Sequence, residues 1–352
     1  MPFTAINGKV QRAMEHNNIN AMWKDGEWLA HRYDASTDTF QLRYVNRPMH
    51  NAATFATDEY LGIEQNPVVV ARRDARDLVE QTDKLHFILH SAFCASTMLA
   101  NAFDLPGVSM GLKEPVVLND VVGFRRRGGA PAAVAELLGD ALAMLARPFG
   151  QDQAVIAKPS NIFNALAPAA LTMRPNSKAI LLYAPLPVFL LSVARKGLWC
   201  RLWCRELLEG QIRDGMVNLG FDMSDFFRQS DLQVAAVGWL AQQKLFSLIA
   251  QKFGPERIAT LDSEALTANP GKALQAAAMH FGISDHGAAN EAHPAFSTHS
   301  KFGGSFRAED RRAEYDLAHK AHGDEIEKVL VWAQAVADSA DIALTLEHQL
   351  RF

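Results

Sequence analysis

The stretch Lys84 to Asn119, KLHFILHSAFCASTMLANAFDLPGVSMGLKEPVVLN, constrains the fold more than any other part of the chain. Leu85, Phe87, Ile88 and Leu89 form a short apolar run, and Met98, Leu99, Ala102 and Phe103 recur at helical spacing. Ser91 to Thr97 is therefore a strand-to-helix turn, followed by a second strand that ends in Lys113-Glu114-Pro115. A turn of this kind aims backbone N–H groups and the positive end of a helix at one point, which is how proteins hold phosphate or sulfate. Ser96 and Thr97 add two hydroxyl donors there. The loop reads as an anion cradle.

From Lys84 onward, buried strands alternate with helices. Strands are expected at Leu85–His90, Gly107–Leu112, Gln153–Lys158, Lys178–Tyr183 and Arg257–Asp262. Helices are expected at Thr97–Phe103, Pro131–Ala146, from Val188 to Arg195 or beyond, Leu232–Phe253 and Pro270–Phe281. This alternation implies right-handed βαβ units, giving an α/β fold with a three-layer, P-loop NTPase-like parallel sheet and helices on both faces. Ligands of such sheets sit beyond the carboxyl ends of the strands. Residues 1 to 80 read as a small appendage with a β-hairpin, because Trp28–Tyr33 and Phe40–Val45 flank the polar turn Asp34–Asp38. Residues 81 to 352 form the α/β domain. Arg47 to Pro67 reads as irregular chain with one turn of helix, and the appendage is expected to cover one edge of the sheet.

The 352 residues are 49% hydrophobic, enough for a sizeable core. With 35 basic against 39 acidic residues, the balance is wrong for a protein that binds nucleic acid through counterion release. The first eighteen residues lack the apolar core of a signal peptide, and no stretch has the length of a membrane span. Three cysteines make no disulfide framework, so a reducing cytoplasmic setting is expected. Cys200 and Cys204 share a helix face, but two thiols without further His or Cys partners make a poor zinc site. No metal is expected, and the pair reads as helix packing.

The loop lacks the Gly-Lys pair of a nucleotide-hydrolysing P-loop, which disfavours ATP or GTP hydrolysis. Phe93-Cys94-Ala95-Ser96-Thr97-Met98-Leu99 resembles the 5′-phosphosulfate loop of PAPS-dependent sulfotransferases of the bacterial, carbohydrate and tyrosylprotein type. That loop reads basic-Ser-Gly-Thr-Thr-Leu-Leu; Phe93 stands where the basic residue is expected. The resemblance implies that Cys94, Ala95, Ser96, Thr97 and Met98 hold the donor 3′-phosphoadenosine 5′-phosphosulfate (PAPS). It also implies that Lys158, at a strand end before Pro159, contacts the transferring sulfuryl group. Glu114, shortly after the first helix and second strand, is the implied base, with His90 as the rival. The family's Arg-x-Pro with a downstream Ser maps onto Tyr183 or Ala184, Pro185 and Ser192, so the arginine is replaced. Lys301, Gly303 and Gly304 resemble the basic, Gly-containing loop that closes over the 3′-phosphate. Asn269-Pro270 and Phe281-Gly282 match the late helix of the family, which extends the resemblance over roughly residues 85 to 310.

The expected reaction is sulfuryl transfer from PAPS to a hydroxyl or amine of a small-molecule, carbohydrate or peptide acceptor, without a metal. The alternative is a divergent protein of the same fold that binds another anionic ligand or has a non-catalytic binding role. With Phe93 and Tyr183-Ala184 uncharged, a working donor site needs another cation. Lys113, the Arg125-Arg126-Arg127 run, Arg195, Lys196 and Lys301 are the candidates. Without the resemblance, Lys158 is a solvated strand-end lysine, Glu114 a cap or ion-pair partner, and Gly303-Gly304 a surface turn.

Overall fold

The computed structural model describes residues 25–79, 82, 84–283, 294–296 and 308–352. Among the described residues there are eight strands: β1 (Trp28–Asp34), β2 (Thr39–Tyr44), β3 (Val68–Ala71), β4 (Leu85–His90), β5 (Ser109–Lys113), β6 (Ala154–Lys158), β7 (Ala179–Tyr183) and β8 (Ile258–Asp262). The last five form one parallel sheet in the order β5-β6-β4-β7-β8, flanked by helices. All residues of β4, β5, β6 and β7 are buried. That explains why apolar residues occupy both faces of β6 and β7 and follow one another at Phe87, Ile88 and Leu89 of β4. The expected α/β fold with a parallel sheet is present.

The chain divides into two compact units. The first holds residues 1–87, 103–159 and 169–177. Its N-terminal part is an antiparallel sheet of three strands, not a bare hairpin: β3 pairs with β2, with Phe40 opposite Val70. Residues 47–67, expected to be mostly irregular, contain the helices Arg47–Ala52 and Asp58–Leu61. Asn46 caps the first by accepting from the Met49 N–H, and Pro48 suits its first turn. Ion pairs fasten this region to the rest of the unit. Arg32 grips Asp120 with both guanidinium arms at 2.9 Å, and Arg47 joins Asp104 and Asp152. Arg147 is buried and donates to the carbonyls of Met144 and Trp28.

The second unit holds residues 88–102, 160–168 and 178–352. Its long helix Asp231–Phe253 starts at a capping box between Ser230 and Gln233 and stops at Gly254, whose φ of 73° is left-handed. Helix Pro270–Phe281 begins with proline and ends at the left-handed Gly282, as its sequence signals require. A helix over Ala308–Ser339, absent from the sequence expectations, follows. Ile326, Val329, Ala333, Val336 and Ala337 are buried at helical spacing along it. The C-terminal residues then run beside β8, where Thr260 N–H donates to the His348 carbonyl and Leu350 N–H to that of Thr260. Cys200 and Cys204 are buried on helix Leu198–Arg213; their mutual hydrogen bond and burial push the Cys204 thiol well above its ordinary range. Among the described residues there is no cluster suited to a metal ion, and no helix long and apolar enough to cross a membrane.

Candidate functional site

In the second unit, β4 ends at His90 and helix Ser96–Ala102 begins six residues later. Between them Ala92, Phe93 and Ala95 have φ of 74°, 52° and 61°. Left-handed backbone costs a residue with a Cβ roughly 1–2 kcal/mol, so three such residues within four positions mark a loop shape held against local preference. Loops in which right- and left-handed residues alternate gather N–H groups into anion-binding concavities. Ala95 stands in the glycine slot of the phosphosulfate loop and keeps the φ that glycine would supply. Its carbonyl accepts from the Leu99 N–H, so it caps the helix with no side chain to contribute. Ala95→Gly is therefore expected to raise the unfolding free energy by about 1 kcal/mol, net of the freedom glycine gains when unfolded. Urea unfolding of the two proteins checks this; a loss of stability would contradict the strain.

The loop is shaped by its neighbours in the same unit. His90 Nδ1 accepts from the Ala92 N–H at 3.1 Å, and the His90 carbonyl accepts from Asn164 Nδ2 at 3.0 Å. His90 is 5% exposed, so this residue, placed as the rival base, shapes the loop's first turn. Ser91 N–H donates to the Leu182 carbonyl, and Ser91 Oγ accepts from the Ala184 N–H at 3.2 Å. Phe93 packs against Phe189 and Trp203, with ring centroids 5.8 and 5.6 Å away. Cys94, Ser96, Thr97 and Met98 are buried, as is Ser192 on helix Leu186–Arg195.

Where the resemblance expects an arginine, the structure has packing. Ala184 is completely buried, and its carbonyl accepts from Trp239 Nε1 at 2.9 Å. Tyr183 is 2% exposed, and its hydroxyl accepts from Gln349 Nε2 at 2.9 Å. Lys301 and Gly303 lie outside the described residues.

The first unit brings together the other two candidates. Lys113 on β5 lies in register with Lys158 on β6, and the next residue, Glu114, donates its N–H to the Lys158 carbonyl at 2.7 Å. Glu114 turns there with φ of 47°, which brings its carboxylate onto Lys158 Nζ. The Lys158 side chain is 1% exposed and that of Glu114 18%. Phe55 completes the group, its ring centroid 4.8 Å from Lys158 Nζ. The backbone of Ala56 clips the same segment to β5, donating to the Lys113 carbonyl and accepting from Val116 N–H. Nothing in the polar stretch around Phe55 signalled this contact. A buried ammonium paired with a partly open carboxylate and covered by an aromatic ring can both hold charge and take a proton.

Lys113 faces elsewhere. Its Nζ donates to the carbonyls of His50 and Ala53 at 3.1 and 2.7 Å, and burial pushes its pKa down to about 8. Burial also pushes the His50 imidazole down to about 3, against the Phe149 ring. Arg127, exposed at the end of helix Val116–Arg126, folds back toward Gly123 of that helix.

No protein-family profile matches the chain, and no curated protein matches it. Among solved structures, the sulfotransferase domain from the curacin biosynthetic pathway is 14% identical, over 76% of this chain and 100% of that one, with a TM-score of 0.42. A sulfotransferase from Alicyclobacillus acidocaldarius is also 14% identical, over 70% and 97%, with a TM-score of 0.37. Sulfotransferase STF9 from Mycobacterium avium is 8% identical, over 71% and 79%, at 0.41. No family membership follows from likenesses this distant.

Proposed function

We propose that this protein transfers a sulfuryl group from PAPS to a hydroxyl or amine of an acceptor. The observation that carries this reading is the loop from Ser91 to Thr97, which joins a buried parallel strand to a helix through the left-handed Ala92, Phe93 and Ala95. Its backbone N–H groups, with the hydroxyls of Ser96 and Thr97, suit three oxygens of a phosphate or sulfate better than any neutral ligand. The resemblance of Ser96, Thr97 and the helix start to the phosphosulfate loop supports the 5′-end of PAPS as that anion.

PAPS supplies an activated sulfuryl group on its 5′-phosphate. The residues of this chain would supply orientation and charge. Lys158 offsets the negative charge that builds on the phosphate oxygen as its bond to sulfur breaks. Glu114 takes the proton of the acceptor hydroxyl as its oxygen bonds to sulfur. The ion pair between them holds both side chains in the resting protein, so positioning carries much of the rate. Ser192, with Lys301, is assigned to the 3′-phosphate. A reducing compartment fits the three buried cysteines, none of them in a disulfide.

The burial of Ala184 in place of an arginine favours a second reading, in which the loop serves an anion without a 3′-phosphate. Melting with the desulfated nucleotide 3′-phosphoadenosine 5′-phosphate tests both. At a hundredfold excess over Kd a ligand adds about 2.7 kcal/mol, a readily measured rise in Tm. The rise is expected in the natural protein and absent from Ser96→Ala/Thr97→Ala, with the unliganded Tm nearly unchanged. A rise with 5′-AMP that the 3′-phosphate does not enlarge would favour the second reading; no rise with either contradicts the first.

A further inference from the structure

β4 ends at His90, and a buried carbonyl at a strand end needs a donor. Asn164 supplies one. Its Nδ2 donates to the His90 carbonyl at 3.0 Å and, through the second hydrogen of the same amide, to Gln242 Oε1 at 2.9 Å. A backbone carbonyl only accepts, which settles the orientation of the Asn164 amide and, through it, that of Gln242. Asn164 lies on the 3₁₀ helix Asn161–Leu166 and Gln242 midway along helix Asp231–Phe253, and both are 1% exposed. On the other side of His90, its Nδ1 accepts from the N–H of Ala92, the first of the left-handed residues. One run of bonds thus joins the long helix to the start of the Ser91–Thr97 loop.

This run adds little to stability. Gln242 Nε2 is buried with no hydrogen-bond partner, and an unsatisfied buried donor opposes folding. Turning the Gln242 amide over would not help, because its NH2 would then meet the Asn164 NH2 donor to donor. What the amides contribute is direction. A left-handed residue with a Cβ, such as Ala92, persists only where its surroundings over-determine it. The bonds at the His90 carbonyl and at its ring hold the residue before the loop from two sides, and that fixes where the Ala92 N–H points.

We infer that Asn164 is a positioning residue for the anion loop: it holds the His90 backbone so that His90 Nδ1 captures the Ala92 N–H and sets the first left-handed turn. Its consequence for binding rests on the proposed reading of the loop, so the test reads shape and binding separately. Amide exchange at Ala92 is followed by NMR, with the β7 amides as the reference for the stability of the same unit, and binding of 3′-phosphoadenosine 5′-phosphate to the full chain is measured by calorimetry. In Asn164→Leu, Ala92 should exchange roughly tenfold faster relative to β7, and binding should weaken by about the same factor because the loop is no longer pre-organised. Gln242→Met, which leaves the Asn164 amide free to turn away from His90, should move both readouts less but in the same direction, and it carries the test if Asn164→Leu does not fold. His90→Ala should weaken binding as Asn164→Leu does, and His90→Asn, whose Oδ1 takes the place of Nδ1, should recover most of that loss. Unchanged exchange at Ala92 or unchanged binding in Asn164→Leu would overturn the inference. Equally faster exchange at β7 would also overturn it, because stability and not loop shape would then be at stake, as would His90→Asn binding no better than His90→Ala. No binding by the natural protein would defeat the loop reading, and the exchange data alone would then decide whether Asn164 shapes the loop.

Discussion

Glu114→Ala is expected to lower the unfolding free energy by about 3–5 kcal/mol, because it removes the carboxylate that is ion-paired with the deeply buried Lys158 ammonium. The Lys158 side chain is only 1% exposed, and the Phe55 ring beside its ammonium offers a weak attraction and no acceptor. Adding Lys158→Met to Glu114→Ala should return much of the loss, since methionine fills a similar volume and needs no partner. Denaturant unfolding of the four proteins forms a double-mutant cycle. A cost below about 1 kcal/mol for Glu114→Ala alone would mean that the pair is loose, and that the carboxylate is not what holds Lys158.

Lys158→Met alone should then separate chemistry from stability. It removes the deeply buried charge and leaves the more exposed Glu114 carboxylate to be hydrated, so the folded state should lose less than in Glu114→Ala, yet sulfuryl transfer should fall by roughly 10²-fold or more. Glu114→Gln, which preserves shape and a hydrogen-bond acceptor, should lower transfer by a similar factor. The measurement is label transfer from ³⁵S-PAPS to whichever acceptor a screen of phenols, sugars and peptides yields. If both variants kept their rates and lost stability instead, the pair would be an anchor between β5 and β6 and the assignment of base and electrophile would be wrong.

The parallel sheet was legible because its strands are almost wholly buried and are mostly apolar on both faces; β4 was located to the residue. Helix Pro270–Phe281 was legible for a local reason, its proline start and glycine stop. β3 was not, since Val68–Ala71 is a short run behind Asn66-Pro67 whose only warrant is pairing with β2. Helix Ala308–Ser339 did carry a buried stripe at helical spacing, which was there to be read.

At the site, the residue types were legible and their relations were not. Glu114 and Lys158 were each visible as strand-end residues, but their ion pair spans 44 positions and depends on the register that sets Lys113 beside Lys158. Phe55 comes to Lys158 from a segment with no motif. The left-handed turns at Ala92, Phe93 and Ala95 were hidden because no glycine advertises them. Sequence spacing alone made Lys113 an attractive substitute cation, whereas its Nζ is engaged with the backbone carbonyls of His50 and Ala53.

The most direct test of the central claim is a crystal structure of the protein grown with millimolar 3′-phosphoadenosine 5′-phosphate. The 5′-phosphate is expected within hydrogen-bond distance of the backbone N–H groups of Ser96 and Thr97 and of at least one of their hydroxyls. Nucleotide density elsewhere on the protein, with the Ser91–Thr97 loop unliganded, would contradict it.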